Sequence, residues 1–427
     1  MYMHVSFFYV IRKFIFYNIK KALRANNAQR KFHSKRKRGI FMEKEILQQQ
    51  LEKQFRWFHS HPELSYEEYE TTNRIRTLLK EKEIEVLDLP LETGLVAIVR
   101  GKKSGPVIAI RCDIDALPVE EETSLEWKSK ISGKMHACGH DFHIATLYGA
   151  ALLLKEREEQ LHGVVKLIFQ PAEESSLGAL KIIETGVLDD VSAIFGIHSS
   201  SDFPVGTLGI KEGSVTAAVD RFKITIEGFG THAAHPEQGR DPIIATGAMI
   251  QSLQSIVSRN LDPFSPSVLS ITHVSAGNTW NVIPEQSFLE GTVRTLTKED
   301  RKLMEERFRQ IVEHTAKAYD VVAKVDWVEG PPATDNDKEW AEFAKKVAIE
   351  EKMEIGIPRL SLGGEDFAFY QEKIKGLFLK VGTGKTPYPN HHPKFQVDPD
   401  ALYGAAHYLS IFSEKVLLQL KERGEGV

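Results

Sequence analysis

Hydrophobic and polar positions along this chain fall into three patterns, and each predicts a type of element. Helical character marks 43–58, 67–82, 142–156, 242–257, 298–316, 337–351 and 399–422, with a shorter helix over 180–185. Short unbroken apolar runs at 95–99, 107–110, 164–169 and 193–197 read as strands buried on both faces, and 376–381 as a further strand. At 221–227 the pattern becomes strict alternation, a half-buried strand, followed by strands over 268–272, 287–294 and 321–327.

The order of these elements predicts the architecture. From 42 to 218 helices alternate with buried strands, the rhythm of an α/β catalytic domain with a mostly parallel, doubly wound sheet. Residues 219–329 read β-α-β-β-α-β, the ferredoxin-like plan, and end at Gly330-Pro331-Pro332. Residues 330–427 then return to the first domain, which makes the smaller domain an insertion.

Composition and charge narrow the setting. Only Cys112 and Cys138 occur in 427 residues, so a disulfide framework is excluded and a reducing, cytoplasmic compartment is expected. The net charge of −4 hides an asymmetry, because residues 1–41 hold eleven Lys or Arg and no acid. The body is therefore acidic, which argues against nucleic acid as a partner. In the basic leader, Arg12-Lys13 splits an apolar run too short to span a bilayer, and the order of charge and apolar residues is not that of a secretory signal. Three readings of the leader stay open: a membrane-surface amphipathic segment, a disordered tail, or untranslated upstream sequence with Met42 as the start.

Candidate chemistry collects after the predicted strands. Asp113 and Asp115 follow the strand ending at 110, Glu173 and Glu174 the one ending at 169, and His198 the one ending at 197. The carboxyl edge of an open α/β sheet is where ligands gather. Cys138 and His140, two positions apart ahead of a helix, offer a thiolate and an imidazole where the helix dipole favours the thiolate. Each feature alone has a structural reading: a buried thiol beside a core histidine, a solvated Glu pair, a capping Asp. Their combination fits a metal centre far better.

Arg111-Cys-Asp-Ile-Asp-Ala-Leu-Pro118, Met135-His-Ala-Cys-Gly-His-Asp141, Phe169-Gln-Pro-Ala-Glu-Glu174, Gly230-Thr-His-Ala-Ala-His-Pro236, Asn281-Val-Ile-Pro284, Gly364-Glu-Asp-Phe367 and His391-His-Pro-Lys-Phe395 occur in that order. In this the chain resembles the dinuclear metallo-aminoacylase and carboxypeptidase family, in its branch of bacterial N-acyl-amino-acid and hippurate hydrolases and plant auxin-conjugate hydrolases. The resemblance implies metal ligands at Cys138, His140, Glu174, His198 and His391, with His392 the alternative in the doublet. It implies that Asp113 and Asp115 orient the ligands, that Glu173 is the general base, and that His232 on the inserted domain stabilises the oxyanion, reaching a partner subunit's site in a homodimer. Asn278 and Arg294 are candidates for the amino-acid carboxylate, and His235 is read as structural. The implied cofactors are two divalent ions per subunit, with zinc, manganese, cobalt and nickel all compatible with this donor set. Ser175-Ser176-Leu177-Gly178 and Ser199-Ser200-Ser201 depart from the family pattern and bear on substrate preference.

The implied activity is metal-dependent hydrolysis of the amide of a small N-acyl amino acid to a carboxylate and a free amino acid. N-acetyl-diaminopimelate deacetylation and dipeptide cleavage are alternatives within the same chemistry. A metal-stabilised binding protein on the same scaffold is the alternative without catalysis.

Overall fold

The structure, a computed structural model, describes residues 43–175 and 177–424. The basic leader and the readings attached to it lie outside the described residues. The chain opens with helices α1 (Lys44–Ser60) and α2 (Tyr69–Lys80), then strands β1 (Glu85–Val86), β2 (Leu95–Arg100) and β3 (Lys103–Asp113). Helix α3 (His140–Glu156), β4 (His162–Gln170), α4 (Gly178–Glu184), β5 (Ala193–Ser200), β6 (Thr207–Gly209) and β7 (Gly213–Ser214) follow. Next come β8 (Ala218–Glu227), β9 (Thr231–His232), α5 (Pro242–Arg259), β10 (Val268–Ala276), β11 (Val282–Ile283), β12 (Gln286–Thr295), α6 (Lys298–Ala318) and β13 (Val322–Glu329). The chain closes with β14 (Asp335–Asn336), α7 (Lys338–Glu350), β15 (Glu354–Gly356), α8 (Ala368–Gln371), β16 (Gly376–Gly382) and α9 (Ala401–Glu422).

Eight strands form the larger sheet in the order β1-β2-β4-β3-β5-β16-β6-β15. Its centre is parallel: β3 pairs with β4 and β5, and β5 with β16. These strands are buried almost throughout, which is why they read as continuous apolar runs. Antiparallel pairs at β1/β2, β2/β4 and β16/β6 make the sheet mixed toward its edges. On one face α3 packs against α9 and β3; every residue from His140 to Leu154 is buried, so α3 is a core helix rather than an amphipathic one. On the other face Ala109, Ile168, Ile194 and Phe378 pack against Ala179, Ile182, Phe367 and Tyr370 from α4, α8 and the segment before α8.

The smaller sheet is antiparallel, in the order β10-β12-β8-β13. With α5 and α6 it has the β-α-β-β-α-β order of the ferredoxin-like plan. The alternation in β8 buries Phe222, Ile224 and Ile226 against Met249 and Leu253 of α5 and Met304 and Phe308 of α6. Among the described residues no helix is long and apolar enough to cross a membrane.

Candidate metal centre

Three parallel strands and the start of α3 deliver the chemistry to one place. Gly139 stands ahead of α3 with φ 85°, and a Cβ there would come within 2.5 Å of the Ser199 hydroxyl, so the turn requires glycine. That turn sets Cys138 before the helix and His140 in its first turn, both buried. β5 ends by supplying His198, whose Nδ1–H donates to the Ser199 carbonyl at 2.7 Å. This fixes the tautomer, so the Nε2 lone pair faces the Cys138 Sγ at 3.4 Å. Burial, then Lys380 and His143, hold His198 well below the usual imidazole range, leaving it a neutral donor.

Two groups of donor atoms share the thiol. Cys138, His140 and His198 form one, and Cys138, Glu174 and His391 the other; within each, all donor atoms lie within 4.8 Å of one another. His391 Nε2 is 3.4 Å from Glu174 Oε1. Hydrogen bonding to Cys138 and Glu174 raises the His391 pKa to about 10. The backbone helps, because His391 adopts φ 69° and its N–H donates to the Ala137 carbonyl at 2.7 Å. His392 is turned elsewhere, stacked on Tyr388 with ring centroids 4.8 Å apart.

Asp113 and Asp115 lie behind these donors, fully buried. Asp115 accepts from His140 Nδ1 at 3.2 Å, from the Ser65 hydroxyl at 2.7 Å and from the Glu174 N–H at 3.0 Å. Asp113 accepts from Arg111 Nη1 at 2.7 Å and His143 Nδ1 at 2.5 Å. Burial disfavours its charge, but His140, His143 and Arg111 outweigh that and hold its pKa well below the carboxylate range. Burial likewise opposes charge on His140, and Asp113, Asp115 and Cys138 overcome it, so the His140 pKa is held high.

The donor set passes a direct test of fit for metal. His140 Nε2 is buried, 3.9 Å from Glu174 Oε1, and has no hydrogen-bond partner. Orphaned buried polar atoms are costly unless something else satisfies them. The same acidic surroundings that raise two imidazole pKa values attract any cation, and thiolate, imidazole and carboxylate are the donors of a divalent transition metal.

Glu173 is half-buried and lies with Glu174 and His140 in one group and with Glu365 and Asp366 in another. Burial, then Glu365, Asp366 and Glu174, push its pKa well above the carboxylate range. Arg111, fully buried, offsets this concentration of acid: it donates to Gln170 at 2.8 Å, Asp113 at 2.7 Å and Asp366 at 2.8 Å, and pairs with Glu365 at 3.1 Å. The Asn390 amide donates to Cys138 Sγ at 3.2 Å.

His232, Asn278 and Arg294, predicted on the inserted unit, are not in this cluster. His232 is exposed on β9, its Nδ1 accepting from the Ala234 N–H at 3.0 Å and its ring 5.8 Å from that of His235. Asn278 is exposed between β10 and β11. Arg294 is half-buried on β12, and its Nη1 has no hydrogen-bond partner.

Residues 109–414 match Peptidase family M20/M25/M40. The chain belongs to the M20/M25/M40 peptidase family. It is 49% identical over 364 residues to the N-acetylcysteine deacetylase of Bacillus subtilis (strain 168), covering 85% of this chain and 96% of that one. It is 40% identical over 380 residues to the IAA-amino acid hydrolase ILR1-like 4 of Arabidopsis thaliana, covering 86% and 85%. Among solved structures, the Bacillus subtilis YXEP protein, a dinuclear metal-binding peptidase of the M20 family, superposes with a TM-score of 0.80 at 46% identity, covering 88% of this chain and 99% of that one. This M20 chain is accordingly a metal-dependent amide hydrolase on an α/β fold with a smaller inserted unit.

Arg111, Gln170, Glu365 and Asp366 stand inside sequence motifs but carry no sign of a shared role in the M20 sequence, because they meet only through the fold. His143 and Asn390 likewise gain their contacts from chain segments far away in sequence.

Proposed function

We propose that this enzyme hydrolyses N-acyl amino acids to a carboxylate and a free amino acid. The observation that carries the reading is a half-buried Glu173 grouped with two of the candidate metal donors, His140 and Glu174. The names of two relatives, a deacetylase of N-acetylcysteine and a hydrolase of IAA-amino acids, support the substrate class.

In this reading Cys138, His140 and His198 hold one divalent ion, and Cys138, Glu174 and His391 the other. Bound there, zinc, manganese, cobalt or nickel supplies Lewis acidity toward water and the scissile carbonyl. Glu173 takes the proton of the attacking water and delivers it to the leaving amine. Asp115 holds His140 by its Nδ1, and Asp113 holds His143, which in turn accepts the Ser199 N–H beside His198. His232 donates to the oxyanion from a partner subunit, and Arg294, with its unpartnered Nη1, and Asn278 bind the amino-acid carboxylate. A homodimer in the cytoplasm is the working form, a setting supported by two buried, free cysteines.

The test is amine release by the full chain loaded with Mn²⁺ or Zn²⁺, across N-acetyl, N-benzoyl and N-succinyl amino acids and dipeptides. Turnover disappears on chelation and falls by about 100-fold or more in Glu173→Gln. Dipeptide cleavage with no deacylation would select the peptidase alternative, and metal binding without turnover on any substrate the binding-protein alternative.

A further inference from the structure

The segment that presents Glu173 and Glu174 is held by carboxylates. It runs from the end of β4 at Gln170 to the start of α4 at Gly178, and within it Ala172 takes the left-handed backbone with φ 54°. A residue with a Cβ enters that region at a cost, and does so where surrounding contacts hold it there. Three such contacts come from acids. Asp115 accepts the Glu174 N–H at 3.0 Å and Asp366 that of Ala179 at 2.8 Å. Glu68, fully buried at the start of α2 and 104 positions away in sequence, accepts the Ala172 N–H at 2.8 Å. From the other side the Ala172 carbonyl accepts from the Gly178 N–H at 3.2 Å and the Ser175 hydroxyl at 2.9 Å. A Cβ on Gly178 would stand 1.7 Å from the Pro171 carbonyl oxygen, so the return of the chain is as tight as its exit.

Asp115 and Asp366 are shared with other partners in the cluster, His140 and Gln170. Glu68 is the acid bonded to the residue immediately before Glu173. We propose that Glu68 is a positioning residue for catalysis: by holding the Ala172 N–H it keeps Ala172 left-handed and aims the Glu173 carboxylate. This rests on the reading of Glu173 as the base. Without Glu68 the N–H loses its acceptor, Ala172 relaxes from the left-handed region, and the Glu173 side chain swings with the peptide. A displacement of about 1 Å at a reacting group costs on the order of 100-fold in rate.

The experiment uses the full chain loaded with Mn²⁺ and reads kcat, KM and bound metal in Glu68→Ala, Glu68→Asp, Glu68→Gln, Ala172→Gly and the pairs Glu68→Ala/Ala172→Gly and Glu68→Ala/Glu173→Gln. Glu68→Ala lowers kcat by about 10- to 100-fold while KM and metal content stay put, the signature of a group acting in the transition state only. Glutamine has the same reach and keeps an acceptor oxygen for the Ala172 N–H, and retains most of kcat. Aspartate, one methylene short, behaves like alanine. Glycine at 172, which adopts the left-handed region freely, recovers part of the loss in Glu68→Ala. In the Glu173→Gln background, removing Glu68 adds nothing.

Glutamine as impaired as alanine, or a loss of equal size with and without Glu173, would overturn the proposal and leave Glu68 a structural residue. Should Glu68→Ala fail to fold, the comparison of aspartate with glutamine decides, and equal kcat in those two is the negative result. An active Glu173→Gln would instead remove the base, and this inference with it, whereas an inactive Glu173→Gln beside a fully active Glu68→Ala rejects Glu68 alone.

Discussion

His59 is a buried cation held by acids on two other segments of the chain. It is buried, and its Nδ1 and Nε2 donate to Asp141 at 2.6 Å and Glu121 at 3.2 Å, so it is an imidazolium between two carboxylates. Burial opposes that charge, but the two acids outweigh it and raise the pKa from 6.5 to about 9. The sign of the linkage follows: the stabilisation is complete below 6.5 and is lost as pH rises through about 9. The protein therefore loses thermal stability between pH 6.5 and 9, and His59→Gln, less stable at pH 6.5, shows a flatter profile there; parallel slopes in a melting series would count against the ion triad. At this scale the Cys138/His140 pair was legible in the sequence because both donors sit on one turn, where local spacing fixes their separation. Arg111 was not, since its value depends on Gln170 and Asp366, 59 and 255 positions away.

Helices α5 and α6 start where a side chain satisfies their first N–H groups. Asp241 accepts from the Ile243 and Ile244 N–H groups at 2.8 and 3.4 Å ahead of Pro242 in α5, and Thr297 accepts from the Asp300 N–H at 3.0 Å at the start of α6. Replacing either by alanine lowers stability by about 1 kcal/mol in urea titrations, and leaves kcat unchanged, because both lie on the smaller sheet's helices away from the metal donors. Neither change should alter the metal content. The long strands and helices were predicted because their burial repeats over many residues. β1, β6 and β15, two or three residues each, escaped, because a strand that short has no period and exists only through the partner it pairs with. The strand predicted at 107–110 extends back to Lys103, which is exposed and pairs with His162 of β4 across an irregularity in the register.

At the scale of the whole molecule, the proposed role of His232 makes a prediction about assembly, because β9 pairs with β11 outside the cluster of candidate metal donors. His232 is exposed, and near it Phe229 is exposed at 54%, Trp280 at 91% and Val282 at 47%. If a second subunit covers that area and His232 serves the partner's site, two inactive variants repair each other. Mixing Glu173→Gln with His232→Ala subunits restores turnover, since the mixed dimer has one site with an intact Glu173 and an intact His232 supplied in trans. Activity that stays at the background of the separate variants rejects the shared site.

The sequence by itself determined the alternation of buried strands and helices, the ferredoxin-like order of the smaller sheet, and the donor types carried at the strand ends, because all three are written in local spacing and residue chemistry. Only the tertiary structure decided which donors share one thiol, that His391 rather than His392 faces Glu174, and that acids far apart in sequence hold the segment bearing Glu173. Those relations are distances between remote segments. They are set by strand register and helix packing, which no residue's own neighbours in sequence encode.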